Sequence, residues 1–299
     1  MGLSPGAQGH LAMLAFSALV AGSFSLGALV ANDIAPTAFT ALRFWLAALV
    51  VGLLAWRRGS LSRSSFVAPW RYLMLGGFFA FYFVLMFEGL KTAPPVSAAA
   101  VFTLVPVMAA AIAWFMLRQV LTSRMALALV IGGVGALWVI FRADLGALMA
   151  FDVGRGEAIY FVGCVSHAIY TPLVRRLNRG EGPVTFTFGT LLAGAVLLLV
   201  YAWGDIAATD WTGLPPLVWI TLAYVTICAT SITVVLLSFA TLRLPSAKVM
   251  AYTYLTPTWV IVWEIFLGNG VPSVFVLGGV GLTILALLLL LRDDTAKNI

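Results

Sequence analysis

The chain has 299 residues, of which 62% are hydrophobic and only 9% are charged, and its formal net charge is +6. Soluble domains carry roughly 25% charged residues, so this composition excludes an ordinary soluble protein and predicts one embedded in a lipid bilayer. The positive residues are scattered between apolar stretches, which fits membrane orientation better than nucleic-acid binding.

Ten apolar stretches, each about 20 residues long and able to cross a bilayer as a helix, follow one another along the chain. Because they fill the chain, we expect an all-α integral membrane protein without a separate soluble domain. The predicted spans are 10–31, 36–56, 70–90, 95–117, 124–142, 156–174, 184–204, 216–240, 247–267 and 271–291. Residues 1–10 contain no Lys or Arg, so we expect no cleavable signal peptide.

The 17 Lys and Arg residues are divided unevenly between the two sides that these spans define. One side holds only Lys91, Arg142 and Arg155, and Arg43 lies inside a span. The other side holds Arg57, Arg58, Arg63, Arg71, Arg118, Arg124, Arg175, Arg176, Arg179, Arg243, Lys248, Arg292 and Lys297. Cytoplasmic loops of membrane proteins are rich in Lys and Arg, so we expect both termini in the cytoplasm.

The two halves of the chain, residues 1–145 and 146–299, share four short motifs in the same order. The paired segments are 36–40 with 183–187, 90–91 with 242–243, 104–106 with 255–257, and 132–135 with 278–281. An odd number of spans in each half makes the second half enter the membrane from the opposite face. The sequence therefore predicts two five-helix units in an inverted repeat, which is typical of secondary transporters with a substrate site near the midplane.

The ten spans, the five-plus-five repeat and the Leu-x-Pro of spans four and nine resemble the drug/metabolite transporter superfamily, in its EamA-type branch, over about residues 10–291. Within that branch the chain is most similar to the YddG-type amino-acid exporters of bacterial inner membranes. The resemblance implies a central cavity lined by spans 1, 3, 4, 6, 8 and 9, with spans 5 and 10 as supporting helices. It also implies a small-molecule substrate and a location in the bacterial inner membrane.

Polar and aromatic side chains near the middle of the spans are the candidates for a substrate site, because such groups usually face the bundle interior or water. The predicted substrate-binding residues are Phe78, Phe79, Tyr82, Phe102, Thr103, His167, Tyr170, Thr230, Tyr252, Tyr254 and Thr256. We expect Tyr82, His167 and Tyr254 to line one cavity. Packing is the alternative for most of the rings, and hydrogen bonding within or between helices is the alternative for His167 and the hydroxyls.

Two prolines, Pro106 and Pro257, lie about halfway along spans four and nine. A proline inside a helix leaves a carbonyl without its usual donor and bends the helix. The pair therefore predicts matched hinges for alternating access, with a passive kink as the alternative reading.

Three charged residues, Arg43, Glu88 and Glu264, lie within or near the predicted spans. We expect Glu88 to pair with Arg43, since the two are at similar depth on consecutive spans. Such a pair would be structural or would form an outer gate rather than a substrate site. The alternative is that both glutamates lie at the membrane surface and that the Arg43 stem reaches outward.

The predicted function is a secondary transporter that exports amino acids, aromatic and other neutral ones, over a narrow or broad range. An exporter of drugs or other metabolites is the alternative, and an intramembrane enzyme or a scaffold is less favoured. The sequence contains no nucleotide-binding or metal-protease motif, so we expect no catalysis, cofactor or metal. The expected partners are the substrate and the lipid bilayer, with no nucleic acid, and a monomer fits the sequence.

Overall fold

The computed structural model describes residues 4–118, 122–150, 153–241, 243–244, 249 and 251–291. All regular structure in these residues is helical, mainly α-helix with short 3₁₀ and π segments, so the predicted all-α class is confirmed. Four residues used in the sequence argument, Leu242, Lys248, Arg292 and Lys297, lie outside the described residues.

The α-helices are numbered here in chain order. They are α1 (Pro5–Val30), α2 (Pro36–Arg57), α3 (Trp70–Leu90), α4 (Pro95–Phe102), α5 (Val105–Leu117), α6 (Ser123–Ile140), α7 (Leu145–Ala150), α8 (Arg155–Leu177), α9 (Pro183–Tyr201), α10 (Trp203–Ala208), α11 (Pro216–Thr226), α12 (Thr233–Thr241), α13 (Thr256–Phe266) and α14 (Val274–Leu291). A π-helical segment, Ile227–Ile232, joins α11 to α12, and 3₁₀ turns occur at Arg63–Phe66 and at Tyr252–Leu255.

Eight helical stretches in the described part of the chain are long and apolar enough to cross a membrane. They coincide with predicted spans one to five, seven, eight and ten. Predicted span six corresponds to α8, which carries charged residues at both ends. Predicted span nine is described only from residue 251 onward, as a 3₁₀ turn followed by α13. The count of ten spans therefore stays a prediction.

The outer faces of the helices carry large apolar side chains. Leu49, Phe115, Val200 and Phe266 are among those that are mostly exposed. Exposing such a surface to water would be unfavourable, whereas contact with lipid acyl chains carries no such free-energy cost. This surface agrees with a multi-pass membrane protein.

Helices at matching places in the two halves contact each other. Helix α2 packs on α9, α4 on α13 and α6 on α14, which are spans two and seven, four and nine, and five and ten. An element that contacts its own repeat equivalent must lie beside the axis that relates the two halves. The packing therefore agrees with the predicted repeat, while the boundary at residue 145 stays a prediction.

Both predicted hinge prolines lie where a helix begins rather than inside a continuous one. Pro106 is the second residue of α5, and Pro257 is the second residue of α13, directly after the turn Tyr252–Leu255. Before Pro106 the chain tightens into a 3₁₀-type turn, because the Leu104 amide donates at 3.1 Å to the carbonyl of Val101, three residues back. A proline fits the first turn of a helix without losing a hydrogen bond. The predicted bends are therefore breaks in two helices, and their use as hinges stays a prediction.

Candidate functional site

A cavity of about 610 Å³ lies between the helices of the two halves. Its lining comes from α1, α2, α3, α4, α8, α9, the π segment with α12, and the 3₁₀ turn before α13. No described residue of α6 or α14 lines it, so spans five and ten lie outside it, as the sequence resemblance implied. Spans two and seven join the lining, which that resemblance did not imply. The volume is in the range of small-molecule sites.

Helical spacing explains why these side chains converge. Helix α3 contributes Phe79, Tyr82 and Phe83, and α8 contributes His167 and Tyr170. Residues three and four apart lie on one face of a helix, so each set projects in one direction. The sequence of each span therefore builds one wall of the cavity.

The aromatic rings of this wall form a layered slot. The Phe79 and Tyr170 rings stack with centroids 4.9 Å apart and planes 15° apart, and the His167 ring lies 5.7 Å from Tyr170 at 19°. The His167 ring also lies 4.5 Å from Tyr82 and 5.9 Å from Phe102. Such ring faces favour apolar, planar or cationic ligand groups.

One end of the cavity, called here the sealed end, is closed by aromatic packing and a close helix crossing. The Tyr82 and Tyr160 hydroxyls are hydrogen-bonded at 2.9 Å, and the Phe24 ring packs edge-on against Tyr160 at 5.9 Å. Beyond Tyr160 the backbones of α3 and α8 meet at Gly89 and Gly156, where a Cβ on either would overlap the other's carbonyl oxygen. This packing separates the cavity from the end of the helix bundle at which α3 ends and α8 begins.

The opposite end, called here the open end, reaches the protein surface. Arg175, Asn178, Glu181 and Pro183, from the end of α8 to the start of α9, line it, and Arg175 and Pro183 are exposed. This is the end at which the sequence places most Lys and Arg residues. In the described part of the chain, the cavity is therefore accessible from this side.

A buried ion pair stands next to the open end. Arg71 and Glu181 approach to 2.7 Å, with side-chain exposures of 1% and 6%, and Arg71 also donates to the Leu177 carbonyl at 2.6 Å. Burial alone would raise the pKa of the Glu181 carboxyl, but hydrogen bonds from Arg71 and from the Arg179 amide outweigh it and lower the pKa to about 2. The pair ties the start of α3 to the α8–α9 connection.

We predict that Glu181→Ala lowers the free energy of unfolding by roughly 3 kcal/mol, because it leaves the Arg71 guanidinium buried without its counter-charge. Since folding lowers the Glu181 pKa, its contribution is complete above about pH 4.5 and is lost as the pH falls toward about 2. Thermal or denaturant unfolding of the two proteins in detergent at pH 7 measures the loss. Arg179→Ala, which removes an exposed side chain, is the control and should change little; equal stability of all three proteins would contradict the assignment.

Six of the predicted substrate-binding residues line the cavity. They are Phe79, Tyr82, Phe102, His167, Tyr170 and Thr230. Two of the three residues expected to share one cavity, Tyr82 and His167, are therefore together, and their rings are in contact.

The other five predicted residues are placed elsewhere by the structure. Phe78 packs with Tyr72, Leu75 and Leu173, and the Thr103 hydroxyl donates to a carbonyl of its own helix. The remaining three are Tyr252, Tyr254 and Thr256, all buried outside the described lining.

Two of these buried tyrosines have defined surroundings. The Tyr252 hydroxyl is hydrogen-bonded to His10 Nδ1 at 2.8 Å. Tyr254 is fully buried, and its ring fills the space that a side chain at Gly132 would occupy. Tyr254 therefore packs span nine against span five.

The two Leu-x-Pro motifs explain which residues were missed in span nine. Phe102 and Thr253 each precede the motif proline by four residues, and both line the cavity. Thr103 and Tyr254 each precede the proline by three residues, and neither of them is among the lining residues of the cavity. An alignment of the two motifs with each other would have identified Thr253 as the counterpart of Phe102.

The expected ion pair between Arg43 and Glu88 is wrong. Glu88 instead pairs at 2.7 Å with Lys91, which lies three residues further along at the end of α3. This glutamate therefore has a partner that does not come from another helix. Arg43 instead lines the cavity, and its Nε and Nη2 donate to Thr230 Oγ1 at 3.2 and 3.0 Å. The third charged residue, Glu264, accepts a hydrogen bond from Asn269 at 2.9 Å near the end of α13.

The fold and cavity define a multi-pass helical membrane protein with a central aromatic chamber. The profile of the EamA-like transporter family matches residues 7–141 and 154–292, one match for each half. The chain belongs to the EamA-like transporter family, within the drug/metabolite transporter superfamily.

One curated relative and one solved structure are similar to the chain. The chain is 28% identical over 218 residues to "Uncharacterized transporter YyaM" of Bacillus subtilis (strain 168), covering 72% of this chain and 71% of that relative. A solved structure described as "Crystal structure of protein" superposes with a TM-score of 0.69 at 20% identity, over 95% of each chain. The second likeness concerns the fold alone.

Proposed function

We propose that this protein is a secondary transporter that exports amino acids, aromatic and other neutral ones, across the bacterial inner membrane by alternating access. The observation that carries the proposal is the aromatic chamber between the helices of the two halves, which is open at one end and sealed at the other. A site between inverted repeats that opens to one side at a time is the arrangement by which such carriers work.

The lining supports an amino-acid substrate through both its size and its chemistry. A chamber of about 610 Å³ accepts a molecule as large as tryptophan. The slot formed by Phe79, Tyr170 and His167 offers ring faces for an apolar or aromatic side chain and for an ammonium group. Hydroxyls of Ser23, Thr187 and Thr190 in the lining supply polar contacts.

Export of cationic drugs or other metabolites is the second candidate. Aromatic walls suit such cations too, but a cation held at depth usually needs a carboxylate nearby. The one carboxylate in the described lining is that of Glu181, which lies at the open end and is paired with Arg71. The chamber therefore favours amino acids over organic cations.

The test is uptake by purified protein in liposomes, measured with a panel of labelled amino acids and cationic drugs against protein-free liposomes. We expect saturable uptake of at least one aromatic amino acid, cross-inhibited by other neutral ones. Uptake of the drugs alone would replace this proposal with the second candidate, and uptake of neither class would remove both.

The proposed orientation, with both termini in the cytoplasm, makes a separate prediction. Single cysteines at Ser60 and Gly180, both exposed and on the basic side, should be shielded from a membrane-impermeant thiol reagent in intact cells and should react after permeabilisation. A cysteine at Asn32, exposed at the opposite end of α1, is the control and should react in intact cells. Labelling of Ser60 or Gly180 variants from outside would overturn the orientation.

A further inference from the structure

Arg43 is a buried cation without a counter-charge in the part of the chain that the structure describes. Its side chain lies in α2 and lines the cavity, and the residue is 1% exposed. The described ion pairs are Arg71 with Glu181 and Lys91 with Glu88, and no described carboxylate lies within 4 Å of the Arg43 guanidinium. Leaving one charge unpaired in a membrane interior costs several kcal/mol, so this position requires an explanation.

The contacts that Arg43 does make leave much of its hydrogen-bonding capacity unused. A guanidinium has five N–H donors. Nε and Nη2 share one acceptor, Thr230 Oγ1, and Nη1 has no partner. The face of the guanidinium lies 3.8 Å above the centre of the Phe83 ring, an attraction worth about 1–2 kcal/mol that fixes its position but neutralises nothing.

The π segment prepares Thr230 for this contact. The Thr230 hydroxyl donates to the Val225 carbonyl at 2.8 Å, five residues back, which the wider π turn brings within reach. With its proton committed, the oxygen faces Arg43 as an acceptor. Thr230 therefore orients the guanidinium without supplying a negative charge.

Arg43 is also adjacent to the aromatic slot. The Phe83 ring beneath its guanidinium lies 4.8 Å from Phe79 and 4.7 Å from Tyr82, and Tyr82 lies 4.5 Å from His167. One small molecule can therefore place an anionic group on Arg43 and an apolar group among the rings.

We propose that Arg43 forms an anion subsite that binds the carboxylate of the transported substrate. The unused N–H donors of a fixed guanidinium match a carboxylate in geometry and charge. This inference rests on the proposed function and narrows its substrate class to carboxylates that carry an apolar or aromatic group. It excludes organic cations, which Arg43 repels.

The test compares three ligands that differ only around the charged groups: L-phenylalanine, L-phenylalaninamide, which has no carboxylate, and 3-phenylpropionate, which has no ammonium group. Binding to the purified full-length protein in lipid nanodiscs is followed by thermal-shift titration. The wild type should bind the two carboxylates roughly tenfold or more tighter than the amide, as expected for a charged hydrogen-bonded contact.

Arg43→Gln should bind all three ligands with affinities within about threefold of one another, and Arg43→Lys should keep part of the preference. Arg43→Gln removes an unpaired buried charge and should keep or raise the melting temperature. The control Phe79→Ala should weaken binding of every ligand and leave their ratio unchanged. If Arg43→Gln does not fold, Arg43→Lys takes its place: the preference for carboxylates should fall below that of the wild type, and an unchanged preference overturns the anion subsite.

The possible outcomes separate the two proposals. Equal binding of phenylalanine and its amide by the wild type, or a preference that persists in Arg43→Gln, overturns the anion subsite and leaves amino-acid export standing. Arg43-dependent binding of 3-phenylpropionate alone keeps the subsite and removes the amino-acid assignment. Binding of none of the three ligands removes both.

Discussion

Gly156→Ala is expected to open the sealed end of the cavity and to lower transport by at least about fivefold. A Cβ at Gly156 would lie 2.5 Å from the Ala93 amide nitrogen and still closer to the Gly89 carbonyl oxygen. Both are backbone atoms, which cannot rotate away as a side chain can. Overpacking of this kind costs about 1–3 kcal/mol, and the cost falls on the state in which α3 and α8 cross tightly. The equilibrium between the two access states therefore shifts by about five- to 150-fold.

The reactivity of the buried Cys164 thiol reports whether the sealed end has opened. Cys164 lies on α8, one turn beyond Tyr160, and is fully buried. In a Cys228→Ala background it should be inert to a small thiol reagent, whereas with Gly156→Ala it should react as the crossing separates. The reaction is followed by mass spectrometry, alongside uptake in liposomes.

A matched substitution on the facing helix controls for the loss of a glycine. At Gly77 of α3 the nearest atom to an added Cβ is a methyl carbon of Leu197 at 3.6 Å, an ordinary contact. Gly77→Ala should leave both Cys164 reactivity and transport unchanged. An inert Cys164 together with normal transport in Gly156→Ala would show that this crossing does not control access.

The helices themselves were predictable because bilayer thickness fixes the length of an apolar span. The paired motifs at 36–40 and 183–187 also predicted the repeat, and the α2–α9 contact agrees with it. The breaks were harder to foresee, because a proline at mid-span is compatible with either a bend or a new helix start. Pro106 takes the second form, and only the backbone before it decides this.

Part of the chamber followed from the sequence, since mid-span polar groups such as Tyr82 and His167 face the interior. Span nine did not follow, because each residue of a helix turns the side chain by about 100° and a 3₁₀ turn by about 120°. A register error of one residue therefore exchanges Thr253 for Tyr254. The placement of Arg43 in the cavity lining was also not predictable, since depth along two spans does not reveal how α2 is rotated about its own axis.

Alanine substitutions of Tyr254 and His167 should have different effects, the first on stability and the second on substrate binding. Tyr254 is fully buried against Gly132, outside the described lining of the cavity. Tyr254→Ala removes a large ring from a packed interface, and the expected loss is roughly 3–5 kcal/mol of unfolding free energy, by analogy with buried aromatic residues. Protein that remains folded should bind substrate with the wild-type affinity.

His167→Ala should instead weaken substrate binding and leave the stability nearly unchanged. The ring faces the cavity and its Nδ1 has no described partner, so its removal enlarges the chamber without opening a packed core. Loss of the ring face that His167 offers to the substrate should weaken substrate binding by about three- to tenfold, since one aromatic contact contributes roughly 0.5–1.5 kcal/mol. Melting temperature and substrate affinity in nanodiscs separate the two variants, and Phe115→Ala, at a mostly exposed outer position, should change neither. If Tyr254→Ala weakened binding at unchanged stability while His167→Ala bound normally, the wall of the chamber would lie on span nine instead of span six, and the site described here would be wrong.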